Sequence, residues 1–475
     1  MTTRRSLLSG VTVLSGGAAL AACTPLAGGG VDKIARGKSD KPLAIRWSTW
    51  GDDQNTFNSV AAPKGLALFK DSFPNLKISI EPQVGEDWPT KNYTEWIAGS
   101  GPDMTGHAGQ WGVQWGREGL LWNMETAYKK DVPPRIQEDY VDWLIKIFQL
   151  PERGLVAIPM YSGTVGLMYN KSVFQRKGVS LPDGTWDWNK YRVAAIKLHD
   201  RERPRPEGDQ RGNEVASFTF GRRQVRGYDR VMQRIHQVGG NYVDPKDAGK
   251  SVLNTPAAIE ALQYERDANL KDKYTGIEPE YEVTRGMDYF KALSSQRFAM
   301  WEEGSFALVR FTTQVEKDVL SQLDVAPLPR GPKQKATLAT NDGWSIWKQS
   351  KAIDESWELV KFLQSDEWTE INAAATGQQP ARKSFQERWV KLVKQGNPGL
   401  AHMNLSAFTE AIQQNYARPI ELFRKQKDSR DIIINLFNEA VYGTESDRKI
   451  LNGSRSLDAA VTDAVKRIND FNALS

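Results

Sequence analysis

Between Pro42 and Pro82 the hydrophobic period of the chain switches twice, and this switch constrains the fold more than any other feature. "PLAIRWSTWG" puts Leu43, Ile45 and Trp47 on one face of a predicted strand. Leu66, Phe69 and Phe73 then recur at helical spacing until Pro74 stops the run. "LKISIEP" returns to alternation at Leu76, Ile78 and Ile80. Strand, helix, strand is a βαβ unit, which predicts an α/β fold with a parallel sheet and right-handed crossovers. Similar alternation continues through most of the chain. From about Phe408 the pattern turns helical, as in "RDIIINLFNEAVYG" and "SLDAAVTDAVKRINDF". At 475 residues there is room for two lobes or two domains, and no internal repeat stands out.

Cys23 is the only cysteine, so the chain can form no internal disulfide. It follows Arg4, Arg5 and an apolar run from Leu7 to Ala22 that is too short and too interrupted to span a bilayer. A basic head, a short apolar run and small residues before a cleavage point read as an export signal. Thr3-Arg4-Arg5-Ser6-Leu7-Leu8 resembles a twin-arginine signal. Leu20-Ala21-Ala22-Cys23 resembles a lipoprotein box. That resemblance implies a signal peptide over residues 1–22 and a lipid on the Cys23 sulfur. It also implies anchoring at the outer face of the cytoplasmic membrane or in the cell envelope. The alternative is an ordinary secretory signal with an incidental cysteine. Residues 23–41, with "LAGGG" and "ARGKSDK", read as a flexible tether.

The net charge is +5, or +3 once Arg4 and Arg5 are removed. This near balance argues against a nucleic-acid partner, which calls for a concentrated basic face. "RERPRPEGDQRGNE" reads as a solvated loop. "DPKDAGKS" ends like a phosphate-binding loop, but Asp244 stands where the first glycine belongs. It also fails as a calcium loop, with Lys246 and Ala248 at ligand positions. There is no G-x-S-x-G, H-E-x-x-H or C-x-x-C motif. His107, His199, His236 and His402 are far apart in sequence, so neither a metal nor a cofactor is expected. What remains is 16 tryptophans. Many belong in cores, but Trp50, Trp111 and Trp344 sit where strands should end, the usual place for ligands in α/β sheets. Sugars offer a C–H face to such rings and hydroxyls to polar neighbours. Asp52, Asp53, Asn341, Asp342 and Arg382 lie near those turns.

Several segments, in order, resemble the extracellular solute-binding proteins of bacterial sugar importers, the group that contains maltose-binding protein. They are "SGPDM", "GLVAIPMYSGTVGLMYNKSVFQRKGV", "LPDGTWDWNKY", "VGGNYVD", "RFAMWEEGSF", "DVAPLPRGP", "ESWELVKFLQSDE" and "GQQPARKS". Arg297 and Phe306 depart from the family pattern in the fifth. The resemblance implies a two-lobed Venus-flytrap fold with a hinge and a helical C-terminal tail. One lobe is then expected over 42–161 and 341–388, the other over 162–340 and 389–475. The implied cleft residues are Trp50, Asp52, Asp53, His107, Gln110, Trp111, Tyr161, Ser162, Gly163, Trp301, Glu302, Phe306, Asn341, Gly343, Trp344 and Arg382.

The resemblance further implies a monomer that captures a sugar or sugar-like molecule and hands it to the transmembrane subunits of an ABC permease. Two other readings stay open. An extracellular carbohydrate-active enzyme would need two carboxylates about 5–10 Å apart across a bond. Glu302 and Glu303 are adjacent and, on a strand, should point to opposite faces. A sensor or adhesin could share the fold.

Overall fold

The computed structural model describes residues 34–35, 37–51, 55–84, 88–199, 225–272, 274, 289–294, 296, 298–442 and 456–473. Cys23, the signal, the loop 201–214, Asp52 and Asp53 lie outside the described residues.

The elements that place the site are, in chain order, β1 (Leu43–Trp50), α1 (Ala62–Lys70), β2 (Leu76–Gln83), α2 (Trp88–Ile97), β3 (Met104–His107) and α3 (Gly109–Arg117). They continue as β4 (Ile158–Tyr161), β5 (Val165–Asn170), α4 (Val225–Gln237), β6 (Met300–Gly304), β7 (Leu323–Ala326), β8 (Thr337–Ala339) and β9 (Asp342–Ile346). Last come α5 (Asp366–Thr376), β10 (Ala417–Pro419) and α6 (Leu457–Ala473).

The opening unit forms as its periodicity predicts. β1 and β2 pair in parallel from Leu43↔Leu76 to Trp50↔Gln83. Ile45 and Trp47 face the core. The helix ends at Lys70, short of Phe73, which nonetheless stacks on Phe69 with ring centroids 4.8 Å apart. The first lobe's sheet has the order β2-β1-β3-β9-β4. It is mixed, where the βαβ pattern predicts an all-parallel sheet. β9 runs antiparallel between β3 and β4, pairing Gly343 with His107 on one side and with Pro159 on the other. No local period signals this, because β9 comes from residues more than 180 positions after β4.

A second, antiparallel sheet of order β6-β5-β7 organises the other lobe, and β8 pairs with β10 beside it. Their cores are separate. Trp47, Phe69 and Trp344 belong to the first, and Trp301, Phe311 and Trp389 to one of those in the second. Such separation is what two lobes with independent interiors require. The tail is helical apart from β10, and α6 buries Val461, Ala464 and Ile468 in a core to which α4 also contributes.

The chain passes between the sheets at residues 162–164 and again at 340–341. These passages are tied together. Gly163 N–H donates to Thr340 Oγ1 at 2.7 Å, and Thr340 N–H donates to Gly163 O at 3.0 Å. A third strand of chain joins them, since Ser162 N–H donates to Gln379 O at 2.8 Å and Thr164 Oγ1 donates to Gln379 Oε1 at 2.9 Å.

Candidate ligand cavity between the lobes

A cavity of about 410 Å³ opens between the two sheets. Its first-lobe wall is built from strand ends. β1 supplies Thr49 and Trp50, β3 supplies Gly106 and His107, and β4 supplies Met160 and Tyr161. β9 runs the other way, so its beginning, Asp342 and Trp344, reaches the same rim. A register shift between Asp342 and Gly343 re-aims the strand there. Gly51 turns the chain sharply after Trp50 at φ +97°, a conformation few other residues adopt. The second-lobe wall includes Gly163, Arg230, Phe306, Arg310, Leu338, Ile420 and Arg430.

The aromatic lining is stiffly supported. Trp111 is half-buried and lies nearly parallel to Trp115, at 6.4 Å and 26°. Trp115 in turn meets Trp88, Trp96 and His107 edge-on. Trp344 is buried against Trp47 at 5.4 Å and Phe57 at 5.8 Å. A Cβ on Gly106 would stand 2.5 Å from its ring, so only glycine admits Trp344 there. The Trp344 Nε1–H lacks an acceptor among the described residues. Phe306 fits against the bare backbone of Gly304, where a Cβ would come within 2.1 Å.

His107 is not a cation in this setting. Burial pushes its pKa down to about 4, against a weaker pull from the Ala108 carbonyl. The Ser345 hydroxyl donates to Val156 O at 2.7 Å, and its lone pair faces His107 Nε2 at 2.8 Å. On the other side of the ring, Nδ1 lies 3.1 Å from the Ala108 carbonyl oxygen.

Of the residues anticipated for the cleft, the structure brings Trp50, His107, Gln110, Trp111, Tyr161, Gly163, Phe306 and Trp344 to the cavity. Others sit elsewhere. Trp301 is fully buried in the second lobe between Phe298 and Phe311, because its side of β6 faces that lobe's core. Glu302 is sealed in an ion pair with Arg234 of α4. Arg382 is 5 % exposed, pairs with Asp366 and Asp139, and lies over the Phe385 ring. It closes a different hollow beside Tyr140. Ser162, Asn341 and Gly343 flank the lining without joining it. Gly343 packs on Phe148 and Ala157, and the buried Asn341 amide packs on Gly109.

The two glutamates also depart from expectation. Both reach arginines of α4 one turn apart, Glu302 to Arg234 and Glu303 to Arg230 at 3.8 Å. The strand ends at Gly304, and the two long arginines span the change of face. Sequence reasoning did not single out Phe57, Trp88, Thr340, Gln378 or the three lining arginines. Arg230, Gln233, Arg234 and Gln237 follow helical spacing, which normally marks a solvated face, yet all four are buried.

Two α/β lobes with a shared cavity and repeated chain crossings define the two-lobed class of ligand-binding proteins. Residues 47–370 match the sequence profile of bacterial extracellular solute-binding proteins, and the chain belongs to that family. A protein of Brucella abortus (strain 2308), curated as a binding protein, is 21 % identical over 303 residues, covering 63 % of this chain and 67 % of that one. An ABC substrate-binding protein from Listeria monocytogenes, solved with cycloalternan, superposes with a TM-score of 0.71 at 18 % identity, covering 91 % of this chain and all of the other. The cyclic alpha-maltosyl-1,6-maltose binding protein of Arthrobacter globiformis gives a TM-score of 0.70 at 17 % identity, covering 92 % of this chain and all of the other.

Proposed function

We propose that the protein captures a carbohydrate or related polyhydroxylated solute between its lobes and delivers it to a membrane permease. The observation that carries this reading is the interlobe cavity itself. It draws aromatic faces from both lobes, Trp111 and Trp344 from one and Phe306 from the other. A solute contacting both walls favours the closed arrangement, with residues 162–164, 340–341 and 377–379 as the hinge. The proposed lobes are 42–161 with 341–388, and 162–340 with 389–475. The solute-bound structural neighbours support a sugar as the class of ligand.

The reading is binding without turnover. Asp342 is the one carboxylate among the described residues that line the cavity, and a glycosidase needs a pair. Among those residues no cluster of His, Asp or Glu offers a metal site. A thermal-shift screen over sugars, polyols and sugar phosphates tests the proposal. At 100 times its dissociation constant, the true solute adds about 2.7 kcal/mol of stability. A hydrolysis product released by purified protein would overturn it.

The protein is exported, as its family is extracellular. Among the described residues no helix is long and apolar enough to cross a membrane. The proposed attachment is a lipid on Cys23, with residues 23–41 as the tether. One acyl chain holds a membrane only marginally, so two or more are expected. Cys23→Ala is expected to shift the protein from the membrane fraction to the soluble fraction, or to block processing. Unchanged fractionation of a normally processed variant would rule the anchor out.

A further inference from the structure

Two arginines one turn apart on α4 are treated in opposite ways. Arg234 is 3 % exposed and fully engaged, donating to Glu265 Oε1 at 2.8 Å, to Gln237 Oε1 at 3.3 Å and to Glu302. Arg230 is just as buried, at 4 %, and lines the interlobe cavity. Its Nε and Nη2 have no acceptor among the described residues. Glu303 balances its charge from 3.8 Å, too far for a hydrogen bond, and Glu303 Oε1 already accepts the Gly304 N–H at 2.8 Å.

Nε and Nη2 form one edge of the guanidinium, a planar fork that matches two oxygens of a carboxylate or phosphate. Elsewhere in this chain the same edge does this. Arg192 holds Asp272 with Nε at 2.6 Å and Nη2 at 2.8 Å. A single hydroxyl would satisfy one donor of the fork. The two oxygens of an anionic group would satisfy both donors.

We infer that the solute carries an acidic group, a carboxylate as in a uronic acid or a phosphate ester on a sugar or polyol, seated on the Nε and Nη2 edge of Arg230. Its hydroxylated body then lies toward Trp344 and Trp111. This rests on the solute-capture reading and narrows it.

Calorimetric titration of matched compounds tests it: glucose, glucuronate and glucose 6-phosphate; cellobiose and cellobiouronate; ribitol and ribitol 5-phosphate. The acidic member of at least one set should bind about tenfold or more tighter than its neutral counterpart. Uronate or phosphate is then distinguished by which acid binds. Arg230→Gln should bring that ratio to within about threefold of unity, and Arg230→Lys, a point charge without the fork, should fall between. Because Arg230→Gln removes a guanidinium that faces the buried Glu303, the double variant Arg230→Gln/Glu303→Gln serves as the folded control, checked by its ligand-free melting curve. A wild-type protein that binds the neutral members as tightly as the acidic ones overturns this inference and leaves solute capture standing. An acid preference that survives in the double variant also overturns it. No binding by any compound in the panel overturns both readings.

Discussion

Trp344→Ala is expected to cost the ligand-free protein about 3–5 kcal/mol of stability and to weaken solute binding about tenfold or more. Both effects follow from one position. The ring is 1 % exposed and wedged between Trp47, Phe57 and the bare backbone of Gly106, so truncation leaves a cavity in the first-lobe core. The same ring lines the interlobe cavity proposed to take the solute, with its Nε1–H lacking an acceptor among the described residues. Chemical denaturation of the ligand-free variant and calorimetry on the identified solute separate the two. Parental affinity with a lowered unfolding midpoint would make Trp344 a core residue alone. Trp301→Ala supplies the contrast, since Trp301 is equally buried but lines no cavity wall. It should lose comparable stability and keep parental affinity.

Arg234→Met should be at least as damaging, costing about 3–5 kcal/mol. Arg234 sits between two buried carboxylates, Glu265 and Glu302, and pairs with both. Burial opposes its charge, but the attraction of Glu302 and Glu265 outweighs this and holds its pKa above the usual arginine range. Burial also pushes Glu302 upward, against the pull of Arg234, with Glu265 adding to the rise. Methionine fills most of the space and removes the charge, so both carboxylates must take up protons or draw in water. The variant should unfold at a markedly lower denaturant concentration. A parental midpoint would mean that the pair does not hold β6 to α4.

The fold was legible to the extent that its cause is local. Alternation at Leu43, Ile45 and Trp47 and the helical run to Phe69 are properties of neighbouring residues, and β1, α1 and β2 formed accordingly. The insertion of β9 is set by partners at β3 and β4, which no window around "NDGWSI" contains. The site divides in the same way. Trp111 lies on the first turn of α3 just past the end of β3, as its place after "GHAGQ" suggests, whereas Trp344 lies within β9 and reaches the same rim because that strand runs antiparallel. Trp301 shares their residue type but faces inward, because which side of β6 meets the core depends on β5 and α4. Arg230 was hidden for the opposite reason. A polar stripe on a helix reads as solvated, and here it is turned inside, Gln233 meeting Glu302 and Gln237 holding Pro329 O and Ala336 O.

The inserted strand also bears on how the protein is made. His107 and Gly343 are register partners, and 235 residues separate them. A ribosome adding 5–20 residues per second needs roughly 10–50 s to pass from one to the other. During that interval β3 and β4 have no neighbour between them, and the Thr164 hydroxyl still awaits the Phe408 carbonyl, to which it donates at 2.7 Å. The proposed first lobe can close only once residue 388 has been made, and the second waits for residues 389–475. The nascent chain therefore stays open until most of it has been synthesised, with two unpaired strand edges exposed to aggregation for the whole of that time.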